Sequence, residues 1–238
     1  MKWKLPLALA TLALAACGQD QPPPVPVASD PAQMPALPVV GEEVAILALG
    51  DSLFAGYGLD PGQSYPARLE AALRARGINA RIVNAGVSGD TTADGLARID
   101  FALDSLKRPP ALVLVSLGGN DMLRAVPPEQ TRANIDALLG KLEHRKVPVL
   151  VLGMKAAPNL GPDYQRAFDT LYPELTRKHG ATLVSFFLEP VYDKPQLLQP
   201  DHIHPTLQGI DALVGSTADQ VAAALPAKAV KAAPPAPR

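Results

Sequence analysis

The stretch "VAILALG", Val44–Gly50, is the part of the sequence from which the fold can be read. It is a continuous apolar run of seven residues in which polar and apolar side chains do not alternate. A strand with one face in water alternates, whereas a strand covered on both faces does not. The run therefore predicts a buried strand in a sheet that carries further layers on both sides.

Four similar runs follow along the chain, and a segment with helical spacing comes after each of the five. The other strand candidates are "ARIVNA" (80–85), "ALVLVSLG" (111–118), "VPVLVLGM" (147–154) and "ATLVSFF" (181–187). The helix candidates cover residues 65–77, 91–106, 127–146, 163–180 and 206–225. Pro173 lies inside the fourth of these helices and is expected to kink it.

This alternation of strands and helices determines the expected architecture. It implies right-handed crossovers and a parallel sheet with helices on both faces. We expect one α/β domain over residues 41–226, a three-layer α/β/α sandwich around a five-stranded parallel sheet. In such sheets functional groups gather beyond the carboxyl ends of the strands, and the loops at that edge are the place to look for a site.

The first residues indicate export. Residues 1–16 contain two lysines, a short apolar run and then small residues, which is the pattern of a signal peptide, and the run is too short to span a bilayer. Cys17 is the only cysteine of the chain, and "LAAC" (14–17) resembles the bacterial lipobox, in which the cysteine is lipid-modified. An acyl anchor accounts for a lone thiol in an exported protein; a plain signal peptide is the alternative. Gly18 after the cysteine resembles the signal for sorting to the outer membrane of a Gram-negative bacterium, so we expect a periplasmic lipoprotein anchored there.

The segments that flank the domain are not expected to fold. Residues 17–40 are rich in proline and almost uncharged, which is typical of a semi-rigid tether, and residues 227–238 form an Ala/Pro/Lys tail. The chain of 238 residues has a formal net charge of −1 and 47% hydrophobic residues. No basic surface is implied, so nucleic acid is not expected as a partner, and we expect a monomer.

Four loops at the predicted functional edge carry chemically useful residues. "GDSL" follows the first strand, "NAGVSGDTT" the second, "GGND" the third and "PDHIHP" the fifth. Each loop taken alone is explained equally well by turns and helix caps. Together they supply a hydroxyl, an imidazole, an acid to orient it, and converging donors for an oxyanion, which are the parts of a nucleophilic hydrolase. The residues concerned are Ser52, Gly89, Asn120, Asp201 and His204.

These blocks, Gly50-Asp51-Ser52-Leu53, Gly89, Gly118-x-Asn120 and Asp201-x-x-His204, resemble those of the SGNH (GDSL) hydrolase family. The longer strings "GDSLFAGYGL", "NAGVSGDTTADGLARI", "SLGGNDMLR" and "FFLEPVY" are similar to its bacterial thioesterase/lysophospholipase/arylesterase branch. The resemblance runs from Val44 to Ala224 and implies the SGNH-hydrolase fold with a flavodoxin-like strand order, 2-1-3-4-5. The chain lacks the G-x-S-x-G elbow of α/β-hydrolases and the H-E-x-x-H helix of zincins.

The resemblance also implies roles. Ser52 would be the nucleophile, His204 the general base and then the acid, and Asp201 the group that orients His204. The backbone amides of Ser52 and Gly89 and the side chain of Asn120 would form the oxyanion hole. Neither a metal nor another cofactor is implied.

The chain has four histidines, and only two lie at the predicted edge. His144 and His179 lie near helix ends, where a cation suits the helix dipole, and we expect structural roles for both. Asp201 and His204 are three residues apart on a turn and can face the same side, whereas His202 should project elsewhere. A metal bound by Asp201, His202 and His204 would want further ligands. His202 departs from the resemblance, since relatives of this branch usually carry glycine there. The triad is left intact, and a polar group at the rim of the site leaves the substrate preference open.

The expected activity is hydrolysis of carboxylic esters, such as aryl esters and lysophospholipids, and of acyl-thioesters through an acyl-enzyme at Ser52. Met122, Leu123 and Leu160 are candidates for an apolar acyl slot, although ordinary packing beneath loops explains each of them equally well. Two alternatives stay open. One is an envelope carbohydrate acetyl esterase of the same family, and the other is an envelope-binding lipoprotein without catalytic activity.

Overall fold

The computed structural model describes Val39 and residues 41–227 of the chain. The segments interpreted as signal peptide (1–16), tether (17–40, apart from Val39) and tail (227–238, apart from Ala227) lie outside the described residues. Those interpretations, including lipidation of Cys17, therefore rest on the sequence.

The described part of the chain forms a five-stranded parallel sheet with the strand order β2-β1-β3-β4-β5, which confirms the predicted flavodoxin-like order. The strands are β1 Val44–Gly50, β2 Ala80–Gly86, β3 Leu112–Ser116, β4 Val149–Leu152 and β5 Thr182–Val184. In register, Gly50 at the end of β1 pairs with Gly86 of β2 and Ser116 of β3. The loops that leave these three strands therefore start side by side.

Helices cover both faces of the sheet, and the predicted three-layer sandwich is confirmed. The helices are α1 Ser52–Ala55, α2 Tyr65–Ala75, α3 Thr92–Asp104, α4 Gly119–Leu123, α5 Pro128–His144, α6 Pro162–Lys178 and α7 Leu207–Ala224. Helix α2 packs with α7, while α3 and α6 both pack with α5. Helix α6 continues through Pro173. The short helices α1 and α4 lie directly after β1 and β3, in the loops expected to carry function, and their sequences are too short to show a helical period.

Strand β5 is shorter than the sequence predicts, because the chain leaves the sheet after Val184. The N–H of Phe187 still donates to the carbonyl of Gly153 at the end of β4 (2.8 Å). However, Phe187 has turned into the core, where its ring lies edge-on to Tyr65 with ring centroids 4.8 Å apart. An apolar run cannot distinguish a strand from a turn that buries its last aromatic residue.

An aromatic cluster supports the turn that follows β1. Phe54 of α1 is buried and stacks on Tyr65, with ring centroids 5.4 Å apart. The side-chain amide of Asn84 on β2 donates to the Phe54 carbonyl (2.7 Å). Gly86 has to be glycine here, because a Cβ would press into the backbone of Phe54 and Ala55. The start of α1 is therefore held from below by the core and from the side by β2.

His179 at the end of α6 joins that helix to α5. Its Nε2 lies 2.6 Å from a carboxylate oxygen of Asp136, and its Nδ1 lies 2.7 Å from Glu143. Burial by itself would lower the pKa of His179, but the hydrogen bonds and charges of Asp136 and Glu143 outweigh it and raise the pKa. The protonated imidazole donates to both carboxylates, which is consistent with the expected structural role.

Protonation of His179 should make the α5–α6 contact depend on pH. Because the pKa is raised in the folded state, the stabilisation is fully present below the ordinary histidine value of 6.5 and is lost as the pH rises through the raised value. His179→Asn should lower the free energy of unfolding by about 1 kcal/mol at pH 5.5 and by less at pH 9. Urea unfolding at both pH values measures this. His144→Asn, at the exposed end of α5, serves as the control; equal losses for His179→Asn at both pH values would contradict the assignment.

Candidate active site

The site begins at the carboxyl end of β1, where Asp51 and Ser52 follow Gly50. Asp51 caps the short helix α1, with its Oδ1 accepting from the N–H of Leu53 (3.0 Å). Ser52 is the first residue of α1 and keeps a partly exposed side chain. The serine hydroxyl therefore stands at the functional edge of the sheet on a backbone fixed by its neighbours.

Ser52, His204 and Asp201 form a continuous hydrogen-bonded chain. His204 Nε2 lies 2.8 Å from Ser52 Oγ, and His204 Nδ1 lies 2.6 Å from Asp201 Oδ2. An ionised carboxylate only accepts hydrogen bonds, so Nδ1 carries a proton and Nε2 is left to accept from the serine hydroxyl. The structure thus brings together the three residues that the sequence analysis proposed, in the order that a nucleophile, a base and an orienting acid require.

Asp201 is held as a carboxylate. Burial would raise its pKa, but hydrogen bonds from the His204 side chain and from the backbone N–H groups of His204 and Ile203 lower it to about 2. Each N–H group donates to Oδ1 at a distance of 3.0 Å, while Oδ2 faces the imidazole. Oδ1 therefore fixes the backbone of the turn, and Oδ2 orients the imidazole of His204.

Three candidate oxyanion donors come from three different loops. Within the described residues, the N–H groups of Ser52 and Gly89 donate to no other protein group. The side-chain amide of Asn120 donates to the Asp90 carbonyl (3.0 Å) and lies 3.5 Å from Asp51 Oδ2. Gly89 has a φ of +88°, in the left-handed region that favours glycine. All three groups are residues of the cleft described below.

Arg98 of α3 ties two of these loops together. Its guanidinium donates to the Asp90 carboxylate (2.6 Å) and to the carbonyl of Gly50 (2.9 Å). Since Asp90 is also the residue whose carbonyl orients Asn120, the arginine fixes the loop after β2 relative to the end of β1. Sequence reasoning did not single out Arg98, because an arginine on a helix reads as a solvated residue.

A buried carboxylate anchors the loop that carries Asn120. Asp121 is 1% exposed and accepts from the N–H of Thr92 (2.8 Å) and from the hydroxyls of Thr92 and Thr131. These partners lie on α3 and α5, so α4 is fastened to both helices. The orientation of Asn120 therefore depends on its neighbour Asp121 as much as on its own contacts.

Asp51 was not assigned a role from the sequence, yet its pKa is strongly perturbed. It is 2% exposed, and burial raises its pKa from 3.8 to about 6, opposed by the hydrogen bond from Leu53 and by the charge of His204. In the sequence, Asp51 is distinguished only by its position directly before Ser52, and this position does not show that its side chain is buried.

The cleft above these groups has a volume of about 440 Å³ and mostly apolar walls. Met122 and Leu123, two of the three acyl-slot candidates, line it. Leu160, at the end of the short 3₁₀ helix Pro158–Leu160, is not among the lining residues. His202 stands at the rim with a φ of +58°. Further apolar walls, which no sequence pattern indicated, come from Met154, Leu188, Val191, Tyr192, Leu198 and Ile203.

In residues 41–227, His, Cys, Asp and Glu side chains nowhere come together in groups of three or more that could hold a metal ion. In the same part of the chain, none of the helices has the length and apolar character needed to cross a bilayer.

The fold and this constellation define a class, the α/β/α hydrolases that act through a serine. Residues 48–212, more than half of the chain, match the model of the GDSL-like Lipase/Acylhydrolase family. The chain belongs to this family, as its resemblance to SGNH hydrolases predicted. It is a serine esterase, a hydrolase of carboxylic esters.

Three similar proteins illustrate the membership. Esterase TesA of Pseudomonas aeruginosa is 42% identical over 162 residues, which span 68% of this chain and 80% of that protein. Thioesterase 1/protease 1/lysophospholipase L1 of Escherichia coli (strain K12) is 39% identical over 160 residues, spanning 67% of this chain and 74% of that protein. The crystal structure of AlinE4, an SGNH-hydrolase family esterase, is 60% identical, covers 79% of this chain and all of its own, and has a TM-score of 0.67.

The buried charge of Asp51 should cost the fold stability at neutral pH. Its folded pKa of about 6 lies above the ordinary 3.8, so the folded protein keeps a proton that the unfolded chain releases between these values. Stability supplied by this proton is present below pH 3.8 and is lost as the pH rises through 6. Asp51→Asn should therefore raise the free energy of unfolding at pH 8 by on the order of 2–3 kcal/mol and change it little at pH 4.

Denaturant unfolding of wild type and Asp51→Asn at both pH values tests this. Asp193→Asn, in an exposed turn, provides the matched control and should track the wild type. If Asp51→Asn is less stable than wild type at pH 8, the ionised carboxylate contributes to the fold instead of straining it.

Proposed function

We propose that Ser52 is the nucleophile of this esterase and that the reaction proceeds through an acyl-enzyme. His204 takes the proton of the Ser52 hydroxyl as its oxygen attacks the ester carbonyl. The resulting imidazolium stays hydrogen-bonded to ionised Asp201 and then protonates the departing alcohol or thiol. The observation that supports this proposal best is the unbroken pair of contacts, 2.8 Å and 2.6 Å, from serine to imidazole to carboxylate.

Deacylation repeats the same steps with water as the nucleophile. Water takes the place of the leaving group, His204 removes one of its protons, and the second tetrahedral intermediate collapses to the free acid and Ser52. The low pKa of Asp201 keeps its charge opposite the imidazolium in both half-reactions.

The negative oxygen of both tetrahedral intermediates is proposed to lie among the N–H groups of Ser52 and Gly89 and the amide of Asn120. Donors that are fixed before the reaction stabilise developing charge without reorganising. The contacts of Asn120 with Asp90 and of Asp90 with Arg98 support such preorganisation.

The apolar walls of the cleft favour acyl groups longer than acetate. Met122, Leu123, Met154, Leu188 and Val191 offer little that could hydrogen-bond a sugar, and burial of each methylene of an acyl chain contributes about 0.8 kcal/mol. We therefore propose aryl esters, lysophospholipids and acyl-thioesters as substrates. The names of the relatives, which include arylesterase and thioesterase/lysophospholipase, agree with this range.

The place of action is proposed from the sequence. The pattern of residues 1–16 and the lone Cys17 favour export to the periplasm and a lipid anchor, with Gly18 favouring the outer membrane. The Pro-rich residues 17–40 would then hold a monomeric domain at a distance from the bilayer.

A fluorophosphonate probe and a substrate panel test the proposed chemistry. The probe should label the wild type and leave Ser52→Ala unlabelled, and rates should rise with acyl-chain length on aryl esters, lysophospholipids and acyl-thioesters. A preference for acetylated xylan would instead identify the carbohydrate esterase. Failure of the wild type to react with the probe would identify the binding lipoprotein.

Asn120→Ala should lower kcat on an aryl ester by roughly a hundredfold to a thousandfold, the usual effect of losing one oxyanion donor. KM should change little, because the donor acts on charge that develops in the transition state. Steady-state kinetics measure both constants, and Asn79→Ala, an amide deletion just before β2 and at the opposite edge of the sheet, serves for comparison. Full turnover in Asn120→Ala would remove this residue from the oxyanion hole.

A further inference from the structure

Ser52 and His204 lie 152 positions apart in the chain, and their contact needs an explanation beyond the fold. Ser52 is fixed by β1 and the core beneath α1. His204 lies in a loop between the 3₁₀ helix Pro195–Leu197 and α7. A loop can shift by an ångström without disturbing the sheet, so something local must set its distance from the serine.

The loop is closed on itself at Gln199. We call residues 199–205 the acid–base turn. The N–H of Gln199 donates to the carbonyl of His204 (2.7 Å), and the carbonyl of Gln199 accepts from the N–H of His202 (2.9 Å). Leu198 and Pro205 pair as an isolated antiparallel bridge at its base. The acid–base turn is therefore a compact unit with Gln199 at its neck.

The side chain of Gln199 reaches out of this turn to the serine side. Its Nε2 donates to the carbonyl of Tyr57 (2.8 Å) and to the carbonyl of Pro205 (2.9 Å). Tyr57 belongs to residues 56–58, which follow α1 and which we call the nucleophile turn. Gly58 there has a φ of +70°, and a Cβ on it would collide with Gln199 Oε1. A single amide thus spans the two turns and fits closely against both.

Tyr57 completes the connection. Its N–H donates to the carbonyl of Ser52 (3.2 Å), and its ring lies over the imidazole of His204, with ring centroids 4.4 Å apart and planes inclined by 32°. The residue that Gln199 holds by its carbonyl therefore touches the nucleophile through its backbone and the base through its side chain.

We infer that Gln199 is a positioning residue that sets the distance between Ser52 Oγ and His204 Nε2. The inference rests on the proposed function, in which that contact transfers the proton. Gln199 is not among the described residues that line the cleft, so it acts through Tyr57 and the acid–base turn and not on the substrate. A displacement of about 1 Å between reacting groups can cost on the order of a hundredfold in rate.

Removal of the Gln199 amide distinguishes a positioning role from a merely stabilising one, because the two roles leave different contacts intact. The contact between Asp201 and His204 lies within the acid–base turn, three residues apart, and Asp201 fixes it through two backbone N–H groups. Loss of the Gln199 side chain should leave the Asp201–His204 contact intact and change only the distance between His204 and Ser52.

Gln199→Met tests this, because methionine keeps the length of the side chain and removes both N–H donors. We expect kcat on an aryl ester to fall tenfold to a hundredfold with KM within twofold, and the rate of fluorophosphonate labelling to fall by the same factor. The low-field proton NMR signal of the His204 Nδ1–H, bonded to Asp201, should persist. Gln199→Glu is the second variant: its carboxylate faces the two carbonyls without a donor and should lose at least as much kcat.

Gln63→Met is the matched control. Gln63 is also half-buried and hydrogen-bonds within its own turn, to Asp60, without touching the acid–base turn. It should keep the wild-type kcat. Unchanged kcat in Gln199→Met and Gln199→Glu, while Ser52→Ala is inactive, would overturn the inference and leave the proposed function standing. Loss of the Nδ1–H signal along with kcat would also overturn it, in favour of a structural role, and hydrolysis by Ser52→Ala would remove the proposed function and this inference together.

Discussion

In the proposed mechanism, catalysis depends on the hydrogen bond between Ser52 and His204, and the architecture explains how this contact can exist. Strand β1 delivers the serine at the carboxyl edge of the sheet, and the segment that carries His204 follows β5, four crossovers later. In a parallel sheet every crossover brings the next strand end back to the same side. Parts of the sequence that are far apart therefore meet there without any long-range signal between them, and short local contacts supply the final ångström.

The loops around that contact contain buried carboxyl groups, which are not the most stabilising choice for a protein interior. Asp51 and Asp121 are carboxyls with almost no exposure, and Asp90 is nearly as buried beside Arg98. Buried charges are costly unless they are hydrogen-bonded. Asp121 accepts from Thr92 and Thr131, Asp90 pairs with the guanidinium of Arg98, and the two carboxylates hold the loops that carry Asn120 and Gly89. At Asp51 the effect of burial outweighs the hydrogen bond from Leu53, and the pKa is raised. The apolar sheet beneath, whose central strands are entirely buried, offsets this cost.

Sequence patterns predicted the fold and the proposed reacting groups, but not the residues that hold those groups in place. The five strands and five long helices were predictable because burial on both faces and the helical period each leave a mark over many residues. Ser52 and His204 were singled out because four loops at one edge of the sheet together supply the parts of a hydrolase and resemble the blocks of the SGNH family. Arg98 and Gln199 leave no such mark, because each is a common polar residue that bonds at least one backbone carbonyl, and any residue offers a carbonyl. Leu160 shows the opposite limit, since an apolar residue in a loop at the predicted edge need not line the cleft.

His202 shows why the rim of the cleft can vary while the reacting groups stay fixed. Its φ of +58° is one that glycine adopts freely and that costs other residues about 1 kcal/mol. The conformation of the turn is nevertheless set by its neighbours, because Asp201 accepts from the backbone beyond position 202 and Gln199 accepts from the N–H of position 202 itself. A histidine is therefore tolerated there without moving His204. What it changes is the mouth of the cleft, where an imidazole adds a polar, ionisable group beside the apolar Ile203. We therefore expect His202 to affect substrate preference at the mouth of the cleft and to leave the geometry of Ser52, Asp201 and His204 unchanged.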